Sequence, residues 1–505
     1  MLLLGIDLGT SSIKVSIIEA HTQEIVLTVS YPERETDIIS VEPGWAEQSP
    51  DTWWAHTIQA IQKAHAQKKY DPARIKAIGI SYQMHGLVAV DQSQNVLRDA
   101  IIWCDSRAVS IGEQAFQDLG GTVFLESHLN APGNFTASKL AWVKQNQPHI
   151  YKEIDKVLLP GDFMSMRLTG EINTTVSALS EGIFWDFKTN AISQKMLDYF
   201  EFDKSLIPEI NPVFSNHGSL KREVAEILGL SYDVTVTYKA GDQPNNALSL
   251  NVFNVGEVAA TAGTSGVIYG VSDQLVYDAE SRVNTFAHVN YEPDCIRTGV
   301  LLCINGTGIQ NSWMKKMFGE HLSYNEMNAL GQLSAVGSSG LRILPFGNGA
   351  ERMLGNKNIH GHIHDIDFNR HGRAEIMRAS QEGIAFAFRY GLDIMRTNHM
   401  HPSVIRAGYS NLFLSPLFTT SFVNTTDTPV ELFNNDGSAG AALGAGIGLG
   451  YFVEPQEAFV NIKKIKTIEP TLQEQYEELY QDWKNLLHYK ISDQYEGYQR
   501  RKRVF

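Results

Sequence analysis

The chain has 505 residues, 43% of them hydrophobic and 19% charged, so wholesale disorder is excluded. One hydrophobic core rarely grows past about 250–300 residues, and length alone suggests about three domains. Lys and Arg number 42 against 56 Asp and Glu, a net charge of −14, which disfavours nucleic acid or an anionic membrane as partner.

The apolar run Leu2–Asp7 ends in Asp7-Leu8-Gly9-Thr10-Ser11-Ser12, and Ile13–Ile18 follows at once. Two strands around a turn of Gly and hydroxyl residues predict a hairpin. The N-terminus has no basic region before its short apolar run, which argues against a signal peptide. Ser49-Pro50-Asp51 opens a helix over Trp53–Ala66. Ile75–Ser81 reads as a strand and leads into Tyr82-Gln83-Met84-His85-Gly86. Leu87–Val90 and Ala100–Trp103 flank a turn at Gln94-Asn95, and Trp103-Cys104-Asp105-Ser106-Arg107 follows. Helices are expected at Lys139–Gln145 and Phe163–Leu168, and a strand at Val234–Ala240 that ends in Gly241-Asp242.

About half the chain further on, the opening pattern returns as Val258–Ala262, Gly263-Thr264-Ser265-Gly266 and Val267–Val271. This spacing is too long for a solenoid. It reads as two related domains, residues 1–246 and 247–505, each opening with the same loop. Ile309–Phe318, Arg373–Asn398, Phe413–Phe422 and Leu472–His488 read as helices. Ala407-Gly408-Tyr409-Ser410-Asn411 follows a strand at Ser403–Arg406. Gly437–Phe452 is too short and too rich in Gly to span a bilayer. Gly440, Gly444 and Gly448 bare one of its faces for close packing, with ligand contact as the alternative. Alternating strands and helices place the chain in the α/β class. Cys104, Cys295 and Cys303 suggest no disulfide framework. The basic end Arg500-Arg501-Lys502-Arg503 reads as a solvated tail.

Each Gly-Thr-Ser turn exposes backbone N–H groups beside hydroxyls, a combination that can cradle phosphate oxygens. Asp7, at the end of its strand, either holds Mg2+ beside such a phosphate or caps the turn. No GxxxxGK[ST] or GxGxxG string occurs, so a nucleotide site here is neither a P-loop nor a dinucleotide fold. Asp242 reads as a helix N-cap with Pro244 in the first turn, or as a general base that takes a proton from an attacking hydroxyl. Gln83, Met84 and His85 follow a strand end, where α/β ligands sit, though one such His also suits a purely structural role. Asp105 and Arg107 could bind a polyol or pair with each other. His360, His362, His364 and His371, with Asp365 and Asp367, form a His-rich stretch that could hold a metal.

Taken in order along the chain, these strings resemble the FGGY family of carbohydrate kinases, and within it most closely the xylulose kinases. The resemblance rests on Asp7–Ser11, Gly44–Gln48, Trp53-Trp54, Gln83–Gly86, Trp103–Arg107, Leu159–Asp162, Gly241-Asp242, Gly263–Gly266 and Ala439–Gly444. It implies two actin-like, ribonuclease-H-like ATPase domains around a central cleft, with ATP on the second and the sugar mostly on the first. Closure of such a cleft keeps water from the phosphoryl group. The resemblance makes Asp242 the general base and Asp7 the Mg2+-associated carboxylate. It places Thr10, Ser11 and Ser12 on the outer phosphates and Gly263 and Thr264 on the phosphate chain. Gly306 and Gln310 match nucleotide contacts of glycerol kinases, and Gly408 and Asn411 the adenosine loop. Met84, His85 and Asp105 match sugar contacts, and Asp162 a helix cap. Cys104, Gln243 and Ala407 depart from the xylulose kinase pattern, as does the His-rich loop; Gly241-Asp242-Gln243 is closer to the glycerol kinases.

The implied activity is transfer from MgATP to a ketopentose, D-xylulose giving D-xylulose 5-phosphate. Gluconate, ribulose or glycerol are alternative acceptors. A polymerising actin-like ATPase and a sugar-binding regulator without catalysis are the rivals from other classes. The implied partners are a small sugar and ATP, with neither nucleic acid nor membrane, a cytoplasmic location, and room for a homodimer.

Overall fold

The computed structural model describes residues 1–502, with side chains through residue 492. The side chains of the basic end, Arg500–Arg503, lie outside the described residues.

The first half of the chain forms a five-stranded sheet. Its strands are β1 (Leu2–Leu8), β2 (Ile13–Glu19), β3 (Ile25–Tyr31), β4 (Ile75–Tyr82) and β5 (Thr235–Gly241). Their order is β3-β2-β1-β4-β5, antiparallel through β1 and parallel from β1 to β5. The second half adds β6 (Val258–Ala262), β7 (Gly266–Ser272), β8 (Asn284–Ala287), β9 (Thr298–Ile304), β10 (Ile405–Gly408), β11 (Val430–Phe433) and β12 (Lys464–Ile468). These order as β8-β9-β7-β6-β10-β11-β12. Strands β9-β7-β6-β10-β11 repeat both the order and the directions of the first sheet. The two Gly-Thr-Ser turns, at Gly9 and Gly263, therefore occupy equivalent corners.

β1 is a nearly unbroken apolar run because both of its faces are covered. Leu2, Leu4, Ile6 and Leu8 pack with Trp53, Ala60 and Ile61 of the Pro50–Ala66 helix. Leu3, on the opposite face, packs with Ala439, Ala441 and Ala442 of the Gly437–Gly448 helix. That helix belongs to the second half of the chain yet closes the first sheet. It lies backbone against backbone: a side chain on Gly5, Gly79 or Gly448 would collide with the carbonyls of Ser438, Ala441 or Thr237. Gly444 leaves room for the Tyr238 ring. The second sheet packs on the Arg373–Thr397 helix, with Tyr476, Tyr480 and Trp483 in the same core.

The halves meet at β8, the edge strand of the second sheet. Asn130 accepts from Thr285 N at 2.8 Å and donates to Thr285 O at 2.6 Å. Ser177 Oγ donates to Ala287 O, and Ala287 N donates to Ser180 Oγ, both at 2.9 Å. Side chains thus satisfy an edge that would otherwise be open to pairing.

Some local expectations change. Leu87–Val90 and Ala100–Trp103 flank a turn at Asp91–Asn95 as expected, with Leu87 bridged to Ile101, but each finds its longer pairing elsewhere. Val88–Val90 pairs with Lys156–Leu158 and Ala100–Ile101 with Glu47–Gln48. The helix expected over Phe413–Phe422 is a 3-10 turn, Asn411–Leu414, followed by a helix from Pro416 to Thr426. Pro416 lacks an N–H and so takes the first helical position, and Ser415 caps it by accepting from Phe418 N. Among the described residues no helix is long and apolar enough to cross a membrane.

Candidate active site at the strand ends

Three parallel strands of the first sheet end side by side. The register aligns Asp7 with Ser81 and Ser81 with Ala240. Asp7, the Gln83–His85 turn and Asp242 are therefore brought to one edge, where ligands of such sheets bind.

Asp7 accepts from Ser81 Oγ at 2.8 Å. Gly437 is packed against its carboxylate, so tightly that a Cβ there would sit 2.8 Å from Oδ2. This places the N-terminus of the Gly437–Gly448 helix at Asp7. Asp436 caps that helix by accepting from Ala439 N at 3.0 Å, and pairs with Lys14 at 3.3 Å. Burial, with a smaller push from Asp436, raises the Asp7 carboxyl above its ordinary value. Asp242 is not the N-cap of its helix; Gly241 holds that position and Asp242 is the first helical residue. Its carboxyl is half-buried. Burial and the charge of Asp7 push it up to about 7.

Met84 is buried against Gly241. His85 adopts φ +61°, a left-handed conformation that a non-glycine residue holds only when its surroundings demand it. Lys139, fully buried, supplies the demand by donating to His85 O at 2.7 Å and Ile102 O at 3.0 Å. Burial lowers the Lys139 ammonium to about 7. The His85 ring packs between Phe135 of the first half and Phe286 on β8, at 4.7 and 5.3 Å between centroids. Burial and the charge of Lys139 hold its imidazole neutral, well below its ordinary value.

Asp105 stands differently from the sugar contact expected of it. It is fully buried. Its oxygens accept from Ala46 N at 2.6 Å and from Arg107 N, Nε and Nη2 at 2.7–3.0 Å. This pairing, the structural alternative of the sequence reading, consumes the carboxylate. It ties the Gly44–Gln48 loop to the Trp103–Arg107 loop. Asp162 caps its helix as expected and also pairs with buried Lys239 at 2.7 Å.

The Thr10 hydroxyl is engaged, accepting from Trp103 Nε1 at 2.9 Å and donating to Gln83 at 3.2 Å. Ser11 is exposed and Ser12 half-buried at the tip of the turn. In the second half, Gly263, Thr264 and Asn411 line a cavity of about 510 Å3. Gly308 closes its floor, with Gly308 N and Ile309 N donating to the carbonyls of Gly263 and Thr264 at 3.0 and 3.1 Å. Gly306, Gln310 and Gly408 are not part of this wall. Gly306 is packed under the Pro345 carbonyl. Gln310 donates to Ser380 at 2.9 Å and faces a separate cavity of about 400 Å3 on the other side of its helix. Gly408 ends β10 beside Asn435.

Sequence reasoning missed Asn311, Asn325, Asn328 and Tyr324 on the wall of the larger cavity. It also missed Asp436 and the buried Glu181. The asparagines are scattered through helices that look ordinary; Asp436 could have been read from its N-cap place before Gly437. At the His-rich stretch the His362 and His364 rings lie 5.5 Å apart. Among the described residues no three His, Cys, Asp or Glu side chains converge to hold a metal.

Duplicated sheets, a glycine-hydroxyl hairpin in each, and carboxylates at the strand ends define a two-lobed α/β kinase of the actin-like ATPase type. Residues 2–249 match the N-terminal domain of the FGGY family of carbohydrate kinases. The xylulose kinase of Staphylococcus epidermidis is 30% identical over 492 residues, 95% of each chain. The crystal structure of a xyloylose kinase from Brucella ovis superposes with a TM-score of 0.86 at 26% identity, over 96% of this chain and 98% of that one. The gluconate kinase of Lactobacillus acidophilus shares the fold, with a TM-score of 0.87 at 22% identity over 97% and 98%. The chain belongs to the FGGY family of carbohydrate kinases, and it is an ATP-dependent sugar kinase related to these enzymes.

Proposed function

We propose that the chain transfers the γ-phosphoryl group of ATP to a ketopentose, D-xylulose first, giving D-xylulose 5-phosphate. The observation that carries this reading is Asp242, which follows β5 at the strand ends, next to the Gly241 on which Met84 packs and near enough to Asp7 to feel its charge, with its carboxyl held up at about 7. The xylulose kinase relatives supply the choice of sugar.

Asp242 takes the proton of the sugar hydroxyl as that oxygen attacks phosphorus. Neutral His85, with Met84, orients the sugar. Gly263, Thr264 and Asn411 hold the nucleotide in the cavity of the second half, and Thr10, Ser11 and Ser12 face its outer phosphates. Mg2+ commonly takes one or two carboxylates with phosphate oxygens as remaining ligands. Asp7, beside the Gly9–Ser12 turn and raised by burial, fits that pattern; the ion would neutralise charge on the phosphates. Lobe closure excludes water, so the sugar rather than water receives the phosphoryl group.

A panel of ketopentoses, gluconate and glycerol, read by coupled ADP release, tests the substrate. D-xylulose should give the highest kcat/KM. A panel led by gluconate or glycerol keeps the chemistry and replaces the sugar. ATP hydrolysis indifferent to every sugar, with filaments on adding ATP, overturns the kinase reading of the site.

A further inference from the structure

Arg352 opens a 3-10 turn, Arg352–Leu354, in the second lobe. Its Nη1 donates to Asn284 Oδ1 at 2.6 Å, and its guanidinium stands 6.0 Å from the ring centroid of Phe135, in the first lobe. Nε and Nη2 have no hydrogen-bond partner among the described residues, and neither is sealed from solvent. The carboxylate beside it in sequence is spent elsewhere: Glu351 accepts from Asn305 N at 3.0 and 3.1 Å. Among the described residues Arg352 forms no ion pair. Burial lowers its pKa, yet a guanidinium keeps its charge at any working pH. Charges taken out of water are as a rule paired, so a half-buried cation without a counter-ion calls for a partner.

Its surroundings are those of the acceptor site. Asn284 and Phe286 are two apart on β8 and so share a face. Phe286 and Phe135 are the rings that enclose His85, at 5.3 and 4.7 Å between centroids. Arg352, held by Asn284 and set against Phe135, joins that cluster from the second lobe. Its charge is near enough to help hold the His85 imidazole neutral.

We propose that Arg352 is the second lobe's contact to the acceptor: the free edge of its guanidinium, Nε with Nη2, donates to an acceptor oxygen, and its unpaired charge makes the site hold a sugar acid more tightly than the matching polyol. The proposal rests on the reading of His85 as a sugar contact. Nε and Nη2 form a planar fork that matches the two oxygens of a carboxylate. A ketopentose offers neutral oxygens to the same fork.

Xylonate and xylitol, which differ chiefly in one carboxylate, test the charge without turnover, by calorimetry in the absence of nucleotide. The wild type should hold xylonate about tenfold more tightly, the size of one charge-assisted hydrogen bond. Arg352→Met should bring that ratio to one or below. It should also raise the KM for the phosphorylated sugar by about tenfold and leave the KM for ATP unchanged. Arg352→Lys keeps the charge and loses the fork, so it should retain the preference for xylonate. Should Met not fold, Arg352→Gln serves the same comparison. A wild type that holds xylonate no more tightly than xylitol, or binds neither, overturns the proposal, as does a Met variant with an unchanged ratio. If the wild type phosphorylates no sugar, the functional reading falls instead, and the two affinities still decide the role of Arg352.

Discussion

Asp242 joins position to basicity. A general base works best with a pKa near the working pH, and burial together with Asp7 holds this one at about 7. The base acts ionised, so kcat/KM for the sugar should rise with pH through about 7, seen as the acid limb of a pH–rate profile. Asp7→Asn removes the neighbouring negative charge, so that limb should move to lower pH even as the rate falls. A limb that stays in place would show that Asp7 does not set the basicity. Asp242→Ala should lower kcat by about 10²–10⁴-fold with nucleotide binding, read by calorimetry, retained. The raised pKa also has a stability consequence. A carboxyl whose folded value exceeds its unfolded one withdraws stability as pH climbs from the unfolded toward the folded pKa. Asp242→Asn should therefore gain more over wild type at pH 8 than at pH 5, measured by urea midpoints.

The Gly437–Gly448 helix is the element on which the site depends. It covers β1 and β4, and its N-terminus abuts Asp7. The approach needs Gly on both partners, because Gly5 and Gly79 face helix carbonyls rather than movable side chains. Gly79→Ala should cost about 1–3 kcal/mol or more by overpacking and lower the urea midpoint. It should also slow turnover, since Asp7 and Ser81 ride on the displaced strands. An Ala variant with an unchanged midpoint would mean that the two backbones part at no expense.

Across the whole molecule, the lobes are tied where Asn130 satisfies both backbone groups of Thr285. Asn130→Ala leaves a buried N–H and C=O unpaired, at about 1–3 kcal/mol each. It should lower the melting temperature and raise ATP hydrolysis without sugar relative to sugar phosphorylation, because a looser cleft admits water. Coupled ADP release with and without sugar reads that ratio. An unchanged ratio alongside a lowered melting temperature would confine the pair to stability.

At the level of sequence, the two hairpins, the strand ends at Ser81 and Gly241, and the helices at 53–66 and 373–398 were legible, because alternation, apolar runs and turn residues are local signals. The repeated Gly-Thr-Ser turn revised the three domains that length suggested to two related halves, which the shared strand order repeats. Other features depend on what the folded chain brings near. Asp105 is locally indistinguishable from a ligand-binding acid, and only folding brings Ala46 N to it. Gln310 and Asn311 are neighbours in sequence, yet the turn of the helix points them into different cavities. Glu181 lies nearly a hundred residues from His85 and sixty from Gly241, and its burial between them has no local mark. The sequence alone determined the family, the duplicated α/β architecture and the residues of the strand-end loops. The tertiary structure decided which of those residues keep a free functional group, because hydrogen bonding and desolvation depend on partners that the chain supplies from far away.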